Sequence, residues 1–139
     1  MVSAAAAAEF PDLIYDIFDP RTSEKNDAGI YQLRFFVRGK PWVIDIDDQL
    51  LVQDYSGVTQ LNYAQPWGEQ GDMWPPLLEK GWAKVKGSYE NSDEGMLVSG
   101  LRSITGNPTF GYGGTTLADV DQLFTVLKAA DDQNHLLAA

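Results

Sequence analysis

The chain has 139 residues, no cysteine, and twenty acidic against ten basic residues, for a net charge of −10. A chain of this length forms one domain that removes roughly two-thirds of its unfolded surface from water, and a hydrophobic content of 44% excludes a disordered tail. The acidic surface repels phosphate backbones and so argues against nucleic acid, no stretch is long and apolar enough for a membrane span, and the missing cysteines exclude disulfides, Cys-type zinc sites and a thiol nucleophile within these residues.

The opening MVSAAAAAEFP has neither the basic segment nor the long apolar core of a signal peptide, and it has none of the arginine of a transit peptide. An intracellular protein is expected, cytoplasmic or held in a cytoskeletal or organellar assembly. Ser3 is placed to cap a first helix that runs through the alanines to Phe10. Pro11 suits the first turn of a second helix, in which Leu13, Ile14, Ile17 and Phe18 follow helical spacing. Residues 19–28 are polar and turn-rich and read as a loop.

From there the period changes to two. Leu33, Phe35 and Val37 share one strand face, with Gln32 and Arg34 on the other. Arg38-Gly39-Lys40 makes a turn, and Trp42, Ile44 and Ile46 alternate with Val43, Asp45 and Asp47. This pattern predicts an antiparallel hairpin with one buried face. Leu50 to Val52 predict a short third strand, and residues 53–71 an irregular loop packed down by Tyr55, Leu61, Tyr63 and Trp67.

Trp74, Leu77, Leu78, Trp82 and Val85 fall at i, i+3, i+4, i+8 and i+11, one apolar stripe on a helix. Pro75 and Pro76 sit in its first turn, where proline is tolerated. Asp72 is expected to cap it, Glu79, Lys80, Lys84 and Lys86 to face water, and Gly87 to end it. A shorter helix follows over 95–104, then a loop at GNPTFGYGG. Thr116 with Asp119 resembles a capping box. Leu117, Val120, Leu123, Phe124 and Leu127 mark a last helix to Asp132. The tail from His135 is apolar and reads as the start of a strand that needs a partner.

Candidate chemistry is sparse. Asp45 to Asp48 crowd carboxylates at a strand end, but a calcium loop needs a glycine at its sixth position and a distal glutamate, and neither is there. Solvated carboxylates account for the run. FGYGGTT lacks the Gly-Lys-Ser/Thr core of a phosphate cradle. His135 is the only histidine, and no serine occupies a GxSxG elbow; a histidine just past a helix suits its C-terminal dipole. Asp72 reads first as a helix cap.

GIYQLRFFVRGKPWVIDIDDQL (residues 29–50) resembles the hairpin of the calpain family's papain-like protease core. WPPLLEKGWAKVKGSYE (residues 74–90) resembles the family's Trp-x-x-Leu-Leu-Glu-Lys-Ala-Tyr-Ala-Lys helix with its Gly-Ser-Tyr-Glu exit. SAAAAAEFPDLI is similar to the helix that follows the nucleophile there, and Gly95, Gly100 and Thr105-Gly106 fall on family positions. The resemblance covers Ser3 to Ala139. It implies an α+β fold, a mostly helical lobe with a small antiparallel β-hairpin, similar to the first (nucleophile) lobe of the calpain-type core. It also implies that the Trp74 helix packs under the hairpin and supports the alanine-rich helix.

The same resemblance places the family's cysteine, in Gly-x-Cys-Trp, about two residues before Met1, and its histidine and asparagine in a second lobe beyond Ala139. Of the family's Ser-Gly-Gly cleft turn only Gly95 persists, after Asp93 and Glu94, so Gly95 is the one expected substrate-cleft position. Asp72 matches an acidic calcium ligand of the family, without the loop that supplies the rest, so no cofactor is expected beyond a calcium ion at Asp72. The resulting expectation is a single calpain-like lobe over 1–139 that acts without catalysis, as a structural or accessory subunit held by contacts with other protein subunits. The alternative is a part of a calcium-dependent calpain-type cysteine endopeptidase whose cysteine and His/Asn lobe come from another polypeptide or from further coding sequence.

Overall fold

The computed structural model describes residues 2–69, 71–93, 96–112 and 119–138. Two short helices open the chain, α1 (Val2–Ala7) and α2 (Pro11–Tyr15). Alanine loses no side-chain entropy in a helix, which favours α1 despite its length, and Ala4 and Ala7 are buried in the core. Ser3 lies inside the helix rather than at its cap. Its side chain is buried, and its Oγ donates to the carbonyl of Leu97, 3.2 Å away. The helix starts two residues earlier than a cap at Ser3 would place it, and the small hydroxyl faces a neighbouring helix instead of the helix's own amides.

The main hairpin follows the period-two pattern. Strands β1 (Ile30–Val37) and β2 (Lys40–Asp47) pair antiparallel, with Leu33 opposite Ile44 and Phe35 opposite Trp42. The two linking residues, Arg38 (φ 52°) and Gly39 (φ 75°), are both left-handed, the tight turn whose twist matches the strands. Tyr31, Leu33, Phe35, Ile44 and Ile46 fill the buried face. Trp42, opposite Phe35, shares that face but stands exposed.

Residues 52–61 correct the expected loop. They form a second hairpin, β3 (Val52–Tyr55) and β4 (Val58–Leu61), around Ser56-Gly57, separate from the first sheet. It is not packed down: Val52, Tyr55 and Val58 are exposed. In each strand one apolar and one polar residue share each face, so neither face is apolar enough to bury. Tyr63, just beyond, is anchored by a stack on Tyr89, with ring centroids 4.4 Å apart and planes within 5°.

Helix α3 (Trp74–Lys86) packs against β2 of the main hairpin. Leu77, Leu78 and Trp82 are buried, each stabilising by about 1.5–3 kcal/mol. Trp82 meets Phe35 at a centroid distance of 5.7 Å. Gly81 lets the helix close on the sheet, since a Cβ there would lie 3.0 Å from Leu33. Gly87 ends the helix in the left-handed region, as expected. The lysines are not simply wet. Lys80 Nζ donates to the Asp47 carboxylate and to the carbonyls of Asp47 and Gln49, and Lys84 Nζ to the carbonyl of Asp45. The two lysines tie α3 to the end of β2.

A short α4 (Glu90–Asp93) leads to α5 (Leu97–Thr105), which packs on α1 and β1. The expected support of α1 by α3 is therefore indirect: α1 rests on α5 and α2, while α3 holds the hairpin against which α5 lies. At the crossing of α1 and α5, a Cβ on Gly100 would fall 2.2 Å from Ser3 Oγ and 2.8 Å from Ser3 Cβ. The last helix, α6 (Val120–Asp132), is capped by Asp119, whose carboxylate accepts from the Gln122 amide at 2.7 Å. Thr116, its expected partner in a capping box, lies outside the described residues. The α+β reading stands, and among the described residues no helix is long and apolar enough to cross a membrane.

Candidate functional site

The acidic residue singled out before α3, Asp72, does not cap that helix. The N-cap position belongs to Met73, and no side chain caps there. Asp72 instead closes a small loop by pairing with Trp67, amide to carbonyl in both directions, at 2.9 and 2.8 Å. The bridge fixes Asp72 one residue too early for its carboxylate to reach the first amides of the helix. It also sets the Trp67 ring beside Trp74, with centroids 6.5 Å apart and planes inclined at 51°.

These residues edge a half-open groove of about 920 Å³ between α2, the loop that follows it, the end of the main hairpin and the start of α3. Its floor is apolar, from Ile14, Phe18 and Leu77, and its rim carries Glu24, Lys25, Asp48 and Asp72. A calcium ion wants six to eight oxygens. No group of three or more His, Cys, Asp or Glu side chains placed to hold a metal ion occurs among the described residues.

The other acidic candidates divide. Asp45 accepts from the Gln32 amide nitrogen at 2.8 Å, and Asp47 is paired with Lys80. The Lys80 ammonium, and after it the Gln49 amide, hold the Asp47 carboxyl below its usual range. So this strand end is a docking strip for α3 as well as a solvated edge, and the signal for it was the pair of lysines four apart on the helix. Elsewhere, the Arg21 guanidinium gripping Asp19 lowers that carboxyl to about 2. Burial, and then the Glu79 charge, push the Tyr89 hydroxyl up. Glu79 itself accepts from the Ala64 amide at 2.7 Å and pins the chain after the second hairpin.

Gly95, the expected cleft position, lies outside the described residues, as do Glu94 and residues 113–118 of the glycine-rich loop. The His135 side chain is exposed, and its amide, not its ring, caps α6 by donating to Ala130 at 2.9 Å. Among the described residues, none of the groups singled out in the sequence come together as a nucleophile–base pair. What the structure does assemble is a support: α1 locked on α5 through Ser3 and Gly100, and α5 locked on β1 where Phe36 covers Gly106.

That support differs from the one the sequence resemblance implied, in which the Trp74 helix carries the alanine-rich helix: here α5 does so. A family comparison decides whose it is. The model of the calpain family of cysteine proteases matches residues 1–139. The chain belongs to the calpain family. Calpain-A of Drosophila melanogaster is 36% identical over 116 residues, which is 82% of this chain and 13% of the relative. Calpain-B of the same organism is 33% identical over 143 residues, covering 99% of this chain and 14% of the relative. The calpain-type cysteine protease DEK1 of Zea mays is 34% identical over 85 residues, or 61% of this chain and 4% of the relative. The chain thus spans about a seventh or less of the length of these calpains.

Proposed function

We propose that these 139 residues serve as the scaffold of a calpain-type protease core and act by contact with other protein surface rather than by chemistry of their own. Thiol proteolysis needs a thiolate beside an oriented imidazole. This sequence contains no cysteine, and its one histidine stands exposed at the end of α6. The observation that carries the contact reading is α6. Its apolar residues recur at helical spacing, yet none is buried: Val120 is 79% and Phe124 67% exposed. A helix with an apolar stripe open to water is stabilised by a covering surface.

The covering surface belongs to the partner, be it a separate subunit or further polypeptide of the same protein. The test is the native mass at near-physiological salt. The chain is expected in a particle heavier than its own 15.3 kDa, and Phe124→Asp is expected to release it. A stable, monodisperse monomer would overturn the reading.

One observation favours a second reading, in which the scaffold serves an active calpain-type cysteine endopeptidase. Helix α1, which resembles the helix after the family's nucleophile, is held on α5 by a part-buried hydrogen bond from Ser3 and a close glycine contact. A nucleophile carried just ahead of such a helix would be rigidly placed. A co-purifying or covalently continuous segment with Gly-x-Cys-Trp, and peptide cleavage blocked by a thiol reagent, would establish this version.

A further inference from the structure

We infer that the groove beside Asp72 is a binding site for a cationic side chain, an arginine or lysine of a basic protein segment. Three features of its lining converge on that chemistry. Trp67 and Trp74 both line the groove with their rings inclined at 51°, and Trp67 is 61% exposed, so the two indole faces are not closed by a parallel stack on each other. Cations are attracted to such faces by the ring quadrupole. The chain already uses this contact on the same helix, where Lys86 Nζ sits 5.1 Å from the centroid of the Trp82 ring.

The rim is the second feature. Glu24, Asp48 and Asp72 stand against the single ammonium of Lys25. Among the described residues, no hydrogen bond or ion pair engages the carboxylates of Asp48 or Asp72, in contrast to Asp19 and Asp47, which each hold a cation. The third is the apolar floor of Ile14, Phe18 and Leu77, which suits the aliphatic stem that an arginine or lysine lays down behind its charged head. The net charge of −10 steers basic segments toward the surface as a whole, and the groove gives one of their side chains a seat. That the cation comes from a protein rests on the contact reading above; the preference of the groove for positive charge does not.

The test follows the four tryptophan indole N–H signals by NMR as acetyl-Gly-Arg-Arg-Gly-amide is added to the 139-residue chain. A peptide with citrulline in place of both arginines keeps the shape without the charge. The arginine peptide is expected to move Trp67 and Trp74 and to leave Trp82 in place, with the citrulline peptide markedly weaker. Trp67→Ala is expected to weaken binding about two- to fivefold, and Asp72→Asn to weaken it further in low salt than in high salt. Both positions are exposed, and the unshifted Trp82 signal reports that the core is intact. Equal binding of the two peptides, or no movement of Trp67 and Trp74, would overturn the inference. So would calcium chloride that displaces the peptide at equal or lower concentration, since the groove would then be a metal site. Phe124→Asp is expected to leave the titration unchanged, which separates a failure of this site from a failure of the α6 contact.

Discussion

The crossing of α1 and α5 gives the sharpest test of the fold, because one substitution there should change sign with its neighbour. Gly100 lies inside α5, where alanine normally stabilises a helix by about 1 kcal/mol. A Cβ at Gly100 would lie 2.8 Å from Ser3 Cβ, an atom fixed by its own backbone, so no side-chain rotation removes the conflict and α1 must shift. Overpacking of this kind costs about 1–3 kcal/mol. The same shift breaks the hydrogen bond from Ser3 to Leu97, worth about 1 kcal/mol. Gly100→Ala is therefore expected to lower stability by about 1–3 kcal/mol despite the better helix residue. With Ser3→Gly already in place, both the hydroxyl and the Cβ are gone, and Gly100→Ala should stabilise by up to about 1 kcal/mol. Urea unfolding of the four proteins, followed by tryptophan fluorescence and circular dichroism, closes the cycle. A neutral or stabilising Gly100→Ala in the unaltered chain would refute the close packing of α1 and with it the account of how that helix is positioned.

Three further outcomes are expected. The Asp19 carboxyl, held at about 2 against an ordinary 3.8, binds its proton less readily folded than unfolded; its contribution is complete above 3.8 and disappears as the pH falls from there through 2. Arg21→Gln should return the Asp19 titration, read by carboxyl carbon NMR, toward 3.8 and remove that acid-limb loss. Lys80→Met keeps the buried stem but removes the ammonium from Asp47 and two carbonyls, so the Asp47 titration should rise and the urea midpoint fall. If Asp47 titrates unchanged, the ammonium does not hold it. Asp119→Ala removes the cap of α6, at about 1 kcal/mol, and should speed amide exchange through the first turn of that helix about fivefold while leaving α3 untouched.

Where periodicity met burial, the sequence was readable. The alternation from Leu33 to Ile46 and the stripe from Trp74 to Val85 both report a one-sided environment, and both elements bury the face they advertise. The exception within them is Trp42, which stands exposed although the alternation of β2 places it on the buried face. The second hairpin was less legible because its faces are mixed, although Ser56-Gly57 between two Val-containing runs was a usable turn signal. Asp72 was misplaced by one residue: a capping residue and a bridge-closing residue have the same composition, and only the amide pairing with Trp67 separates them. Ser3 was misassigned for a similar reason, since a small polar residue at a helix start suits either a cap or a tight helix crossing. The partner that decides, Gly100, is 97 residues away in sequence. The groove joins Ile14, Asp48, Trp67 and Leu77, positions that no local window contains together.

Positioning and chemistry are separable in this protein, and the energetics show where the division falls. The apolar contacts that hold α1, the hairpin and α3 are buried, and among the described residues no buried side-chain nitrogen or oxygen lacks a partner. A scaffold so satisfied gains little from a binding partner at its centre. The unsatisfied surface lies elsewhere: the apolar residues of α6, the exposed faces of the second hairpin, and the carboxylates and indoles around the groove. Burial of Val120, Phe124 and Leu127 alone would stabilise a complex by several kcal/mol, at about 1.5–3 kcal/mol for each large side chain. The drive to associate therefore sits at the periphery, so a surface substitution such as Phe124→Asp can abolish association while the core unfolds at an unchanged urea midpoint. A core substitution such as Gly100→Ala should do the reverse, weakening the fold and leaving the docking surface chemically intact. If the two substitutions instead moved stability and association together, the scaffold and the contact surface would be one cooperative unit, and the division drawn between them would not hold.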